Sequence, residues 1–179
     1  MYRKHTTMHH RICITGNAGS GKSSLAKRLG EELHLPVYHL DRELLYGDFK
    51  KHALEERTRR HSKLTEGEDW IIDGNYRDHL PVRIKRATAV IFLNVPRPTA
   101  ILRLLKRNKA NSHIPESVPE EARKKITFRL LWWTGKYSRV ERLKTLKMMQ
   151  NAFPDTQLII LAPKSVEEWI SEIKQRLAL

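Results

Sequence analysis

Residues 16–23 combine three glycines, a lysine and two serines at a spacing that suits phosphate chemistry. They read Gly-Asn-Ala-Gly-Ser-Gly-Lys-Ser and fit the pattern G-x-x-x-x-G-K-[ST] of a phosphate-binding P-loop. The glycines permit a tight turn whose backbone N–H groups point inward at an anion. Lys22 adds a positive charge for the β- and γ-phosphates, and the hydroxyl of Ser23 can bind a magnesium ion. The segment therefore predicts a site for ATP with Mg²⁺.

The sequence on either side of this loop predicts the elements that must hold it. Residues 11–15 form a short apolar stretch typical of a buried strand, and they include the single cysteine, Cys13. Residues 22–34 place Leu25, Leu29 and Leu33 at the i, i+4, i+8 spacing of a helix. The amino terminus of that helix would face the phosphates. A glycine-rich turn without a ligand is the alternative, and the order strand, loop, helix argues against it.

Strand-like and helix-like stretches alternate along the 179 residues, which predicts a single α/β domain with a five-stranded parallel sheet and helices on both faces. The predicted strands are 11–15, 36–40, 70–73, 88–95 and 156–161, and the predicted helices are 22–34, about 49–66, about 98–110, about 119–150 and 165–178. We expect residues 1–10 to be a loose tail. Residues 111–119 contain two prolines, so we expect a short lid at about 108–125 or a plain helix–helix connection.

Charge and composition limit the kinds of molecule that the protein can bind. The net charge is +14, and residues 97–147 hold 14 Lys and Arg against 4 Glu. This segment is either a nucleic-acid surface or a phosphate clamp with a solvated helix face. We favour the clamp and expect any nucleic-acid binding to be weak and nonspecific. No apolar run has the ~20 residues of a membrane helix, and the amino terminus lacks the apolar core of a signal peptide, so a cytoplasmic location is expected.

Several motifs together resemble a known family. They are the P-loop, Asp41 in His-Leu-Asp, Ile-Ile-Asp-Gly-Asn-Tyr at 71–76, Phe-Leu-Asn-Val-Pro-Arg at 92–97 and Arg-Leu-Leu-Lys-Arg at 103–107. The chain resembles the P-loop kinases called DNA topology modulation proteins (FlaR-related), which are relatives of adenylate kinase. The resemblance covers nearly the whole chain and implies an adenylate kinase-like fold. The family name records a proposed effect on DNA and does not establish a reaction.

The resemblance implies roles for four further residues. Asp73 matches an acidic residue that orders magnesium through water, although Asn75 and Tyr76 stand where adenylate kinase has Phe-Pro. Arg77 falls near an arginine that could hold an acceptor phosphate. Arg103 and Arg107 match paired arginines at the start of the lid, of which one packs on the adenine and the other reaches the phosphates. Their i, i+4 spacing puts both on one helix face, where a solvated basic face is the alternative.

Asp41 bears on the class of phosphate acceptor. In small-molecule kinases similar to shikimate and gluconate kinases, an aspartate after the second strand bonds the acceptor hydroxyl and can take its proton. A monophosphate acceptor needs no base. A lone aspartate at a strand end is also often a helix N-cap. The residue two positions further on is Glu43, a second carboxylate close to Asp41 in the sequence.

The sequence therefore predicts an ATP-dependent phosphotransferase that acts on a small acceptor, with a nucleotide or related phosphate compound favoured. A hydroxyl kinase and a nucleotide-binding protein that interacts with nucleic acid are the alternatives. Lys22, Asp41, Arg103 and Arg107 are the predicted catalytic residues, Ser23 and Asp73 the magnesium ligands, and Asp41 and Arg77 the acceptor-binding residues. The residues predicted to bind ATP are Gly16, Asn17, Ala18, Gly19, Ser20, Gly21, Lys22, Ser23, Ser24 and Arg103. Trp132 and Trp133 are expected to pack in the core rather than stack on bases.

Overall fold

A computed structural model describes residues 9–46, 50–109, 132, 139–150 and 156–178 of the chain. The strands are β1 Arg11–Gly16, β2 Val37–His39, β3 Leu45–Tyr46, β4 Lys50–Lys51, β5 Trp70–Asp73, β6 Ala89–Leu93 and β7 Gln157–Leu161. The helices are α1 Lys22–Leu33, α2 Leu40–Leu44, α3 Leu54–Thr65, α4 Leu80–Arg86, α5 Arg97–Lys109, α6 Arg139–Gln150 and α7 Val166–Leu177, with a 3₁₀ turn at Arg77–His79 before α4.

Five strands form one parallel sheet in the order β2-β5-β1-β6-β7. The central strand β1 pairs with β5 on one side and β6 on the other, with Ile14 opposite Asp73 and Ile91. The five predicted strands and the parallel arrangement are therefore confirmed. β3 and β4 form a separate antiparallel pair that the sequence analysis did not predict.

Alternate residues of each central strand enter two different hydrophobic clusters, one on each face of the sheet. Ile12 and Ile14 pack with residues of α1 and α7, including Leu25 and Trp169. Cys13 packs on the opposite face with residues of α2, α4 and α6. This division is expected because successive strand side chains point to opposite faces. Helices on both faces, and a buried Cys13, are thus confirmed.

Three helices differ from the sequence prediction. The predicted second strand ran to residue 40, but α2 already begins at Leu40. The predicted helix 49–66 is shorter, because residues 50 and 51 are paired in β4 and α3 begins at Leu54. Helix α4, at residues 80–86, was not predicted. Its Pro81 lies in the first turn, where proline needs no backbone donor and favours the helical φ angle.

Much of the predicted lid and lid-side helix lies outside the described residues. This applies to residues 110–131 and 133–138, including Trp133, and to the side chain of Arg107, although the backbone of Arg107 belongs to α5. Trp132 is 47% exposed, so the prediction that it packs in the core is wrong. Among the described helices, none combines the length and apolar character that a membrane span requires.

Candidate active site

The P-loop follows β1 at the carboxyl edge of the sheet and leads directly into α1. Its glycines adopt the conformations that the sequence required: φ is +72° at Gly19 and +100° at Gly21. A Cβ atom at Gly19 would lie 2.5 Å from the carbonyl oxygen of Ala100, so the loop also needs glycine there to approach α5. Gly21 is the N-cap residue of α1 and has no side chain to bond the first-turn N–H groups, which leaves them available to an anion.

Polar groups of the loop are arranged around the space that a phosphate would fill. The Nζ atom of Lys22 donates a hydrogen bond to the carbonyl of Asn17 at 2.9 Å, so the ammonium group folds back over the loop. The side-chain oxygen of Asn17 accepts from the backbone N–H of Ala18 at 2.8 Å. The hydroxyl of Ser20 is buried and has no hydrogen-bond partner among the described residues. An unsatisfied buried hydroxyl is costly, and a ligand or water at the loop would relieve that cost.

Asp73 ends β5 beside the loop and is held by two side chains. The Oγ atom of Ser23 donates to Oδ2 of Asp73 at 2.7 Å, and Nδ1 of His39 lies 2.6 Å from Oδ1. The carboxylate is 4% exposed. The structure brings together Ser23 and Asp73, the two residues proposed for magnesium, and their role as metal ligands stays a prediction. His39, at the end of β2, was not predicted as part of the site, although it begins the His-Leu-Asp sequence that contains Asp41.

The donor atoms of Ser23 and Asp73 fit a magnesium ion in a limited way. Both are oxygens, which magnesium prefers, but they are only two, and magnesium usually completes its shell with water and substrate phosphates. The described residues contain no group of three or more His, Cys, Asp or Glu side chains that could hold a metal alone. The chain thus offers a partial site that a bound nucleotide would complete.

Asp41 lies in the first turn of α2 with an exposed side chain, close enough to Lys22 and Asp73 for their charges to act on its carboxylate. The N-cap residue of α2 is His39, and it makes no side-chain cap bond. The N-cap alternative for Asp41 is therefore wrong. The phenol of Tyr76 hydrogen-bonds the Asp41 carboxylate. Desolvation raises the pKa of Asp41, and the positive charge of Lys22 opposes the rise. The side chain is exposed to solvent, so water weakens this effect until a ligand covers it.

The Gly-Asn-Tyr segment at 74–76 is held in place by hydrogen bonds from two other parts of the chain. Asn75 accepts a hydrogen bond at Oδ1 from the hydroxyl of Thr15 at 2.7 Å. Arg83, wholly buried on α4, donates from Nη2 to the carbonyl of Gly74 at 3.1 Å. Tyr76 is thereby fixed next to Asp41, and burial, with the negative charge of Asp41, raises the pKa of its phenol, so it stays a hydrogen-bond donor.

Two predicted arginines have different surroundings. Nη1 of Arg103 donates to the carbonyl of Ser20 at 3.0 Å, so Arg103 contacts the P-loop as expected. Its guanidinium also lies over the ring of Trp169, with 5.9 Å between Cζ and the ring centroid. Arg77 begins the 3₁₀ turn and is exposed to solvent. Its predicted contact with an acceptor stays a prediction.

A cavity of about 320 Å³ adjoins the P-loop at the carboxyl ends of β6 and β7. Asn17 of the loop forms part of its wall, so the cavity borders the P-loop. Two arginines, an asparagine and the segment after β7 complete much of the lining: Asn94, Arg97, Arg142, Ala162 and Pro163. This cavity could not be predicted from the sequence, because its walls come from four separate parts of the chain.

Comparisons with solved structures support a kinase-like P-loop fold. A shikimate kinase from Acinetobacter baumannii in complex with shikimate aligns over 96% of this chain and 94% of its own, with 15% identity and a TM-score of 0.61. A deoxyadenosine kinase from M. mycoides with bound dATP aligns over 94% and 100%, with 15% identity and a TM-score of 0.55. A sugar kinase from Janibacter sp. HTCC2649 aligns over 96% and 95%, with 15% identity and a TM-score of 0.55.

A comparison with protein-family models gives the family. No curated protein sequence matches the chain. The family model described as "AAA domain" matches residues 12–124, which is more than half of the chain and includes the P-loop, Asp41 and Asp73. With the five-stranded parallel sheet and the loop geometry described above, the chain belongs to this AAA domain family and has the fold of a P-loop kinase.

Proposed function

We propose that this protein is an ATP-dependent kinase that transfers the γ-phosphate of ATP to a hydroxyl group of a small molecule. One observation carries the choice of acceptor. The Asp41 carboxylate is not the N-cap of α2 but an exposed group within reach of the charge of Lys22, and the phenol of Tyr76 hydrogen-bonds it. A monophosphate acceptor would not need a base at this place, whereas a hydroxyl does. We therefore prefer a hydroxyl acceptor to the nucleotide acceptor that the sequence favoured.

The P-loop determines how ATP, the phosphate donor, would bind. We expect the backbone N–H groups at the start of α1, with Lys22, to hold the β- and γ-phosphates, and the nucleoside part of ATP to enter the cavity next to Asn17. Ser23 and Asp73 would hold magnesium, which would supply positive charge to stabilise the phosphates. Arg103 would bind the nucleotide, and Arg107 together with the predicted lid would neutralise the transferring group.

The chemical step needs few groups. The acceptor oxygen attacks the γ-phosphorus, the bond between that phosphorus and the β,γ-bridging oxygen breaks, and ADP leaves. The hydroxyl proton passes to an Oδ atom of Asp41, whose carboxylate is hydrogen-bonded by the phenol of Tyr76. Lys22 stabilises the charge that develops on the phosphoryl oxygens. Shikimate and sugars, the molecules named for two of the fold relatives, carry hydroxyl groups, which agrees with this proposal.

The remaining features of the sequence analysis stay proposals. These are membership of the DNA topology modulation group, a cytoplasmic location, weak binding to nucleic acid, and a lid at about 108–125 with a tail at 1–10. The motifs at 71–76 and 103–107 support the first. The basic segment 97–147 falls largely outside the described residues.

An acceptor screen tests the proposal directly. Thermal-shift measurements with Mg²⁺ and a non-hydrolysable ATP analogue would select ligands from sugars, hydroxy acids, nucleosides and nucleoside monophosphates. ADP release with ATP then identifies substrates, and ³¹P NMR distinguishes a new phosphate ester from a new phosphoanhydride. We expect an ester. A phosphoanhydride product would show that the acceptor is a phosphate group, and ATP binding without any transfer would contradict the kinase proposal.

Asp73→Asn is expected to lower magnesium-dependent turnover by about a hundredfold or more, because the ligand charge that holds the metal is lost. The protein should fold, because the amide can keep a hydrogen bond to His39 or Ser23. The measurement is the rate of ADP release as a function of Mg²⁺ concentration. Asp69→Asn is the matched control, since Asp69 precedes the amino end of the same strand and bonds the backbone of His10. Normal turnover of the Asp73 variant at limiting Mg²⁺ would exclude Asp73 from the metal site.

A further inference from the structure

Trp169 contacts three separate segments that surround the proposed nucleotide site. It lies on α7 and is 1% exposed, so it does not itself face a ligand. Its indole N–H donates to the carbonyl of Ala162 at 2.7 Å, and Ala162 lines the cavity beside the P-loop. The face of the same indole carries the guanidinium of Arg103. One side chain thus joins the segment after β7 to helix α5.

The third contact is with the P-loop. A Cβ atom placed on Gly21 would lie 3.2 Å from Cζ3 and 3.4 Å from Cη2 of Trp169, so the edge of the indole is packed directly against the backbone of the loop. Gly21 precedes Lys22, and its φ of +100° sets the direction in which α1 begins. The indole therefore limits the positions open to the residue that turns the loop into the helix.

Arg103 is restrained from two sides before any nucleotide is bound. Its Nη1 atom is held by the Ser20 carbonyl, and its guanidinium lies over the Trp169 ring. A long arginine side chain has many rotamers, and each restraint that exists before binding reduces the entropy lost on binding. Removing the indole of Trp169 would leave Arg103 with its hydrogen bond to Ser20 but without the ring contact. It would also weaken the packing of the P-loop to which Ser20 belongs.

We infer that Trp169 is a positioning residue for the donor nucleotide, which holds the turn at Gly21 and the guanidinium of Arg103 in their binding positions. The inference rests on the proposed function in one respect, that ATP binds at the P-loop. It does not depend on the acceptor. The contacts fit this role better than simple core packing, because Trp169 reaches the loop, α5 and the cavity wall at once, and each of these segments borders the same ligand space.

A second buried tryptophan provides a matched control. Trp70 is fully buried at the amino end of β5, where it is paired with Arg11, and it belongs to the hydrophobic cluster on the other face of the sheet. Replacing either indole by leucine removes a similar volume from the core. A loss of nucleotide binding that comes from general destabilisation should then appear in both variants, whereas a loss that comes from positioning should appear in one.

The test is calorimetric titration of the full-length protein with Mg²⁺ and a non-hydrolysable ATP analogue. Trp169→Leu should raise Kd by about tenfold, and Trp169→Phe, which keeps a ring face for Arg103 but loses the bond to Ala162, by about two- to threefold. Trp70→Leu should change Kd by less than about twofold even though it lowers the melting temperature, because distant sites act independently. Binding of the Trp169→Leu variant within twofold of the wild type would overturn the inference, as would an equal loss in Trp70→Leu.

A double-mutant cycle separates this role from plain packing. If Trp169 acts partly through Arg103, the combination Trp169→Leu/Arg103→Ala should weaken binding clearly less than the product of the two single effects. Independent effects would overturn the coupling to Arg103. If Trp169→Leu does not fold, Trp169→Phe and its combination with Arg103→Ala decide the question, and wild-type binding by Trp169→Phe counts against the inference. Failure of the proposed kinase reaction would appear as absent transfer with intact analogue binding, which is a different result.

Discussion

Lys22→Ala is expected to lower ATP turnover by at least about a hundredfold to a thousandfold while the protein remains folded. Removing a single donor that stabilises charge in a transition state has effects of this size, and Lys22 also holds the phosphates in the ground state. The fold should persist because Lys22 is only partly buried and its ammonium group bonds a loop carbonyl rather than the core. The measurement is ADP release with the acceptor, or background ATP hydrolysis before an acceptor is found.

Lys27→Ala is the matched control for this change. Lys27 is an exposed residue of the same helix and lies outside the P-loop sequence, so its replacement removes the same charge from a different position. We expect turnover of this variant to equal that of the wild type, with circular dichroism and melting temperature close to it for both variants. Undiminished turnover in a folded Lys22→Ala protein would rule out the kinase mechanism, because that mechanism assigns to Lys22 the charge that holds the transferring phosphate.

The sheet could be predicted from the sequence because its signal is local. Strands buried on both faces consist of consecutive apolar residues, as in β6, and the P-loop fixes the order of strand, turn and helix around it. The positions of Asp41 and Asp73 at one edge follow from the parallel arrangement alone. These features need no knowledge of which distant residues touch, and the structure confirms them.

Features that depend on contacts between distant residues could not be predicted in this way. Helices α2 and α4 have five and seven residues, which is too short to show a helical period. His39 meets Asp73 only because β2 pairs with β5. Trp169 has the same apolar character as any core residue of an amphipathic helix, and nothing in its neighbours along the chain indicates that it reaches Gly21.

Buried polar residues on the α3–α4 side show the same limit. Arg83 and His61 would be assigned to solvent from their residue types, yet both are buried, and burial with the charge of Arg83 lowers the pKa of His61 to about 3. His61 is therefore neutral at physiological pH and lies with its ring centroid 4.9 Å from that of His79. A buried arginine is tolerable beside neutral histidines, whereas two further positive charges there would be strongly unfavourable. Sequence periodicity contains no information about such mutual dependence.

Asp41→Asn is expected to separate the two classes of acceptor. If the acceptor is a hydroxyl, kcat should fall by about a hundredfold to ten-thousandfold with a small change in KM, because a base acts in the transition state. If the acceptor is a phosphate, the loss should be modest. Asp69→Asn, at the opposite, amino edge of the sheet, is the control and should leave kcat unchanged. The amide of the Asp41 variant can still accept the hydrogen bond of Tyr76, so a stability loss alone would not explain a large fall in kcat.

The pH dependence gives this interpretation a second and independent test. Only ionised Asp41 can take a proton, so kcat/KM should decline as the pH falls through its pKa in the free enzyme. Desolvation raises the pKa of Asp41 most when a ligand covers the carboxylate, so the acidic limb of kcat, which reports the filled site, should lie above the ordinary range of an aspartate. The hydrogen bond from Tyr76 lowers the pKa, so Tyr76→Phe should raise it and move the limb to higher pH. A limb that stays in place in Tyr76→Phe, or that survives unchanged in Asp41→Asn, would show that another group is the base and that Asp41 serves only to bind the acceptor.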